Sequence, residues 1–161
     1  MELKYFYKIQ DNKLIKGSGF KIPDGFIEYD KDNPPQEFLD LQNIELFNKA
    51  KTDKINEIKQ AFNDALEQGY TCSNGIKMDA KSDDIILLKS GYDLAQSLGQ
   101  DTMTITDYDN IDHTDIALDD VYTMIQELGV NFETQRVKKN SLKAQVDACT
   151  STDEVDSIVW S

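Results

Sequence analysis

The sequence predicts an α+β fold: a small N-terminal antiparallel β meander, then a mainly helical domain carrying two β-hairpins. Three observations predict it. Residues 1–30 hold short aromatic runs broken by glycine, proline and Asp-Asn. Apolar residues recur at helical spacing from Ile44 to Leu66 and again from Val121 to Phe132. Two turn signals, Asn74-Gly75 and Asp107 to Asn110, stand between short runs of strand-forming residues.

Leu3 to Ile9 reads as the first strand, with Asp11-Asn12 as a turn; Leu14 to Lys16 and Gly25 to Tyr29 read as two more. Gly17-Ser18-Gly19 and Pro23-Asp24-Gly25 punctuate them. A sheet this small rarely stands alone in water, so it is expected to pack on the rest of the chain, on another copy or on a partner. Asp32-Asn33-Pro34-Pro35 breaks the pattern, since two prolines end pairing and favour extended chain. The expected division is therefore a β module over 1–30, a proline-containing linker over 31–43, and a helical domain over 44–161 with hairpins at 70–79 and 102–116.

Within that domain, Ile44, Phe47, Ile55, Ile58, Phe62, Ala65 and Leu66 line one face of a long helix, and Gly69 suits its C-terminal cap. Asn74-Gly75 predicts a hairpin with a type I′ turn, whose positive φ angles suit those two residues. Ser82 precedes Asp83-Asp84, acids suited to a first helical turn, and Ile85, Leu88, Tyr92 and Ala95 share one face of a helix ending at Gly99. Thr102 to Thr106 alternates as a strand with Met103 and Ile105 inward, and Ile111 to Ile116 is its expected partner. Asp119 reads as the N-cap of a helix carrying Val121, Met124, Ile125, Leu128 and Phe132, continuing through Leu142 and Val146 to Cys149, with Gly129 as a weak point. Ser151-Thr152-Asp153-Glu154 fits a capping box for a last helical turn leading to Val159-Trp160.

Composition narrows the function classes. The net charge is -13, and Arg136 is the single arginine. Nonspecific nucleic-acid binding depends on cations that displace counterions from phosphates, so nucleic acid is not an expected partner. No run of about 18 apolar residues is present, so no membrane span is expected. The first residues lack the apolar stretch and small-residue cleavage site of a secretory signal, which points to a cytoplasm as the folding compartment. Cys72 and Cys149 lie far apart with no histidine beside either, so two buried or half-buried thiols are expected rather than a disulfide or a metal site, and Cys72 is not expected to be reactive.

The unusual local feature is electrostatic. No Lys or Arg occurs between Lys89 and Arg136, a stretch holding ten acids, among them Asp107, Asp109, Asp112 and Asp115. A solvated acidic face, a docking surface for a basic partner and a calcium site are three readings of it. Asp107-x-Asp109 opens like an EF-hand loop, but Ile111 takes the fifth position, Asp112 the sixth-position glycine and Leu118 the place of the bidentate glutamate. No metal is therefore expected, nor any cofactor. His113 is the lone histidine, and its neighbours Asp112 and Asp115 do not by themselves make it a base. No phosphate loop, His-Glu-x-x-His or Gly-x-Ser-x-Gly is present, and no catalytic residues are assigned.

Candidate partner-binding residues remain. Tyr5, Tyr7, Phe20 and Tyr29 could present aromatic faces on the sheet, while Phe6, Phe26 and Ile27 fill its core. Asp107, Asp109, Asp112 and Asp115 form the acidic candidate. Trp160 either plugs the helical core or anchors a partner, and the first is expected because Ile158-Val159 would otherwise be exposed with it.

One resemblance joins these features. Ile55-Asn56-Glu57-Ile58-Lys59 on a helix, Gly69-Tyr70 entering a hairpin, the Asp107 to Asn110 turn, Leu118-Asp119-Asp120 opening a helix, Leu142-Lys143-Ala144 with Ala148 to Ser151, and the terminal Ile158-Val159-Trp160 follow in order. This order resembles a phage and prophage domain of unknown function that commonly sits near tail-fibre genes. It covers roughly residues 50–160, and the N-terminal module departs from it. The resemblance implies a bacteriophage tail setting: a tail-fibre or baseplate structural protein without catalysis, in the virion, with a tail or fibre protein or further copies of itself as partners. A tail-fibre assembly chaperone in the host cytoplasm is the alternative. An acidic anti-host inhibitor that mimics DNA charge is a second, although the sixteen lysines elsewhere dilute the field.

Overall fold

A computed structural model describes residues 3–161; Met1 and Glu2, the start of the expected β module, lie outside the described residues. Strands β1 (Lys4–Gln10), β2 (Lys13–Gly19) and β3 (Ile27–Tyr29) form an antiparallel sheet in the order β2-β1-β3. The first strand is thus central, and the chain crosses back to its far edge instead of meandering in sequence order. Gln10 pairs with Lys13 across Asp11 (φ 52°) and Asn12 (φ 59°), both left-handed. The two-residue type I′ turn expected at Asn74-Gly75 therefore occurs here.

The helix α1 spans Gln36–Glu67, so most of the expected linker over 31–43 is helical. Pro35 is the N-cap, and its carbonyl accepts the Leu39 N–H. Prolines at a helix entrance cost no hydrogen bond, because the first N–H groups have no intrahelical partner. The first turns of α1 cover the sheet: Phe38, Tyr7 and Leu14 are buried together, with Ile9, Tyr29, Leu39 and Leu41 around them. The β module is thereby fused to the rest of the chain through one continuous helix.

Beyond Gly69, β4 (Tyr70–Thr71) and β5 (Lys77–Met78) make the first hairpin. Gly75 N–H bonds Cys72 C=O, Cys72 N–H bonds Ile76 C=O, and Gly75 alone of the loop has positive φ (86°). This is a type I turn with a glycine bulge, one residue longer than the expected type I′ turn. Helix α2 (Ser82–Ser97) follows and ends in a Schellman motif, with Gly99 N–H on Gln96 C=O and Gln100 N–H on Ala95 C=O. Strands β6 (Thr102–Thr106) and β7 (Asp112–Ala117) pair antiparallel, with a bulge opposite Thr104 where Asp115 takes φ 57°.

The last long helix, α3, spans Leu118–Ala148 without a break at Gly129. Its N-cap is Ala117 rather than Asp119, which sits in the first turn with Asp120 and there complements the helix dipole. α4 (Thr152–Ser157) carries the full capping box between Ser151 and Glu154. Two further cores result. Cys72, Met78, Ala80, Ile105, Val121, Met124, Ile125 and Leu128 fill one between the hairpins and α3, roofed by Ile85, Leu88 and Tyr92 of α2. Ile58, Val146 and Ile158 form the other, where α1, α3 and the C-terminal segment meet. Each large side chain buried there contributes about 1.5–3 kcal/mol.

Candidate functional site

The β6–β7 turn organises the acidic stretch. Asp107 N–H bonds Ile111 C=O and Asn110 N–H bonds Asp107 C=O, with Asn110 at φ 62° in the place that glycine holds in the first hairpin. The Asp107 carboxylate turns back into its own loop. Oδ1 accepts the Asp109 and Ile111 N–H groups, each at 2.9 Å, and Oδ2 lies 2.8 Å from His113 Nε2. The His113 contact, then the Ile111 and Asp109 amides, hold its carboxyl below the usual aspartate range. Asp112 accepts the Thr106 hydroxyl at 2.7 Å across the strands.

Fold thus gives His113 the orienting carboxylate that its sequence neighbours could not. Asp112 and Asp115 are exposed, and the contact comes from Asp107 six residues upstream. An oriented imidazole needs a group to deprotonate. The buried thiol, Cys72, instead meets Glu127, and burial followed by that carboxylate pushes it up to about 12. Glu127 is itself engaged, accepting the Ser73 N–H at 2.9 Å. Among the described residues no group of three or more His, Cys, Asp or Glu could hold a metal ion.

The aromatic candidates divide. Tyr7 is buried and stacks edge-on against Phe38 at 5.4 Å and Tyr29 at 5.8 Å, so it belongs to the core and not to a partner surface. Tyr5 and Tyr29 are half-buried beside it, with ring centroids 6.2 Å apart. The odd-numbered residues of β1 face α1, while Phe6 is buried as expected, on the opposite face of the sheet and edge-on against Phe26. Ile27, expected in the core, is exposed, and Phe20 is 61% exposed. Trp160 is half-buried on Ile58, Val146 and Ile158, with Lys138 Nζ 4.6 Å from its ring.

One surface was not singled out from sequence. Helix α2 buries Ala95 and packs the half-buried Ile85, Leu88 and Tyr92 on the core, yet Leu87, Leu94 and Leu98 stand 61–70% exposed on another face. Their spacing of seven and four residues is a second apolar stripe along the same helix. Leu87 and Leu88 form one wall of a groove of about 390 Å³, opposite Met103 to Thr106 of β6, with Asp79 and Asp84 at its end. Burial and the neighbouring Asp84 raise the Asp79 carboxyl above its ordinary range, with Lys81 opposing them. A broader hollow of about 600 Å³ lies where α1, α2 and α3 meet, but its charged wall already closes on itself through Lys81 and Glu67 at 2.6 Å.

No described helix is long and apolar enough to cross a membrane. In comparisons with known proteins, no family model matches this chain, and neither a curated protein nor a solved structure does.

Proposed function

We propose that this chain is a non-catalytic interaction protein of a bacteriophage tail, a tail-fibre or baseplate component that joins other subunits. The observation carrying the interaction role is the exposed leucine stripe of α2, because a helix already packed on one face has no internal use for a second apolar face. The engaged state of Asp107, Cys72 and Glu127 supports the absence of catalysis: each is tied to a local structural partner. The tail setting rests on the resemblance of residues 50–160 to the phage domain found near tail-fibre genes.

Mass spectrometry of purified particles tests the reading. The expected result is this chain at a fixed stoichiometry in the tail fraction. Recovery only with fibre protein in infected-cell lysates, and none in particles, would replace it with the assembly-chaperone role in the host cytoplasm.

A further inference from the structure

Strand β6 is paired along one edge only. Its partner is β7, and on the other side the one backbone bond toward β5, Tyr108 N–H on Lys77 C=O at 2.9 Å, comes from the turn beyond the strand, with no further pairing among the described residues. Open edges are ordinarily blunted by charged side chains, proline or a bulge. β6 reads Thr-Met-Thr-Ile-Thr, without charge or proline, and the extra residue of the β6–β7 bulge lies on β7.

The open edge faces a suitable wall. Met103 lies against α2, since a Cβ on Gly91 would be 3.3 Å from Met103 Cε. From Leu87 to Leu98 is about 16 Å along a helix, the length of about five strand residues. One added strand could therefore run beside β6 and cover Leu87, Leu94 and Leu98 together. The groove's charges are acidic. Asp79 and Asp84 line it, and Lys81 and Lys89 are already paired with Glu67 and Asp93.

We infer that the groove between α2 and β6 binds an extended segment of a partner protein, with alternating apolar and Lys or Arg residues, which adds to β6 as a further strand. Its backbone completes the β6 ladder, its apolar side chains meet the leucine stripe, and its cations meet Asp79 and Asp84. Desolvation, and after it the neighbouring Asp84, raise the Asp79 carboxyl, and a cation beside the two acids would offset the second of these. A second copy is the poorer occupant: its own basic edge strand, β2, has the Leu14 N–H bonded to Glu45 at 3.0 Å. The inference deepens the interaction role and rests on it, without requiring that the partner be a tail protein.

The test titrates the full chain with a seven-residue peptide, Lys-Val-Lys-Val-Lys-Val-Lys, blocked at both ends, following amide chemical shifts and fluorescence anisotropy. Saturable binding at least about tenfold tighter than that of the Glu-for-Lys peptide is expected, with shifts confined to Thr102–Thr106, Asp79 and the Asp84–Leu98 stretch along α2. Leu87→Lys on the exposed stripe, and N-methylation of alternate peptide amides, should each weaken it at least about tenfold. Binding that survives either change, shifts centred elsewhere, no saturable binding, or self-association that excludes the peptide would overturn the inference. None of these would disturb the tail assignment, which the particle analysis decides separately.

Discussion

Tyr108 closes over Gly69. The Tyr108 hydroxyl donates to Glu67 C=O at 3.0 Å, its ring lies 2.7 Å from where a Cβ on Gly69 would stand, and its N–H bonds Lys77 C=O. One residue in the β6–β7 turn thereby holds the end of α1 and both hairpins in register. Gly69 is also left-handed (φ 69°), so its lack of a side chain answers both the cap and the ring. Gly69→Ala should destabilise the chain by at least about 2 kcal/mol, and Tyr108→Phe by about 1 kcal/mol. Urea unfolding of both variants and the double variant checks this, and additive losses would show that the two residues are not coupled.

Phe38 holds the β module in place. It is buried with Tyr7 and Leu14, and the main core around Leu128 lies in a separate cluster. Phe38→Ala should cost about 3–5 kcal/mol locally. The expected result is early loss of amide protection in β1 and β2 while Val121 to Leu128 stay protected. A uniform drop across the whole chain would mean that the module and the helical domain unfold as one unit.

The Asp107 carboxyl gives a pH signature. Its contacts with His113 and the Ile111 and Asp109 amides favour the charged form, so its folded pKa lies below the unfolded value of about 3.9. A depressed carboxyl contributes stability that is present above the unfolded pKa and lost as pH falls through the folded one. Asp107→Asn should therefore destabilise the chain at pH 7 and flatten the acid limb below about pH 4. Melting curves across that range measure it, and an unchanged acid limb would refute it.

The two thiols should differ. Cys72 is buried beside Glu127 and pushed up to about 12, whereas Cys149 is half-buried near the surface. An aromatic disulfide reagent at neutral pH should titrate one thiol per native chain within minutes, and the second only on unfolding. Fast reaction of both would contradict the packing around Cys72.

Asp79 offers a reciprocal test. Its folded pKa is raised, chiefly by burial and Asp84, so its charged form costs stability above that value and the cost disappears as pH falls. Asp79→Asn should stabilise the free protein slightly, within about 0.5 kcal/mol. A loss of stability would mean that the Lys81 interaction outweighs the desolvation.

Local chemistry decided much by itself. Helical spacing located α1, α2 and α3; the Ser151–Glu154 capping box and the glycines at 69 and 99 marked ends that rest on a few neighbouring residues. Threonine alternation placed β6, and its partner followed from the turn. What a residue touches within four or five positions is set by backbone geometry, and such contacts are legible in sequence.

Tertiary packing decided the rest. Pro34-Pro35, expected in an extended linker, instead opens α1, and the burial of Phe38 on Tyr7 is what favours the helix there. The β1 alternation contains an aromatic or apolar residue on both faces, so the arrival of α1 determined that Tyr7 packs under the helix while Phe6 is covered by Phe26 on the other face. His113 met Asp107 because the turn folded them together, and the leucines of α2 became a surface because α3 covered the opposite stripe. Each of these outcomes depends on which of two comparable apolar faces another element buries, and that free-energy difference is created only when distant segments meet.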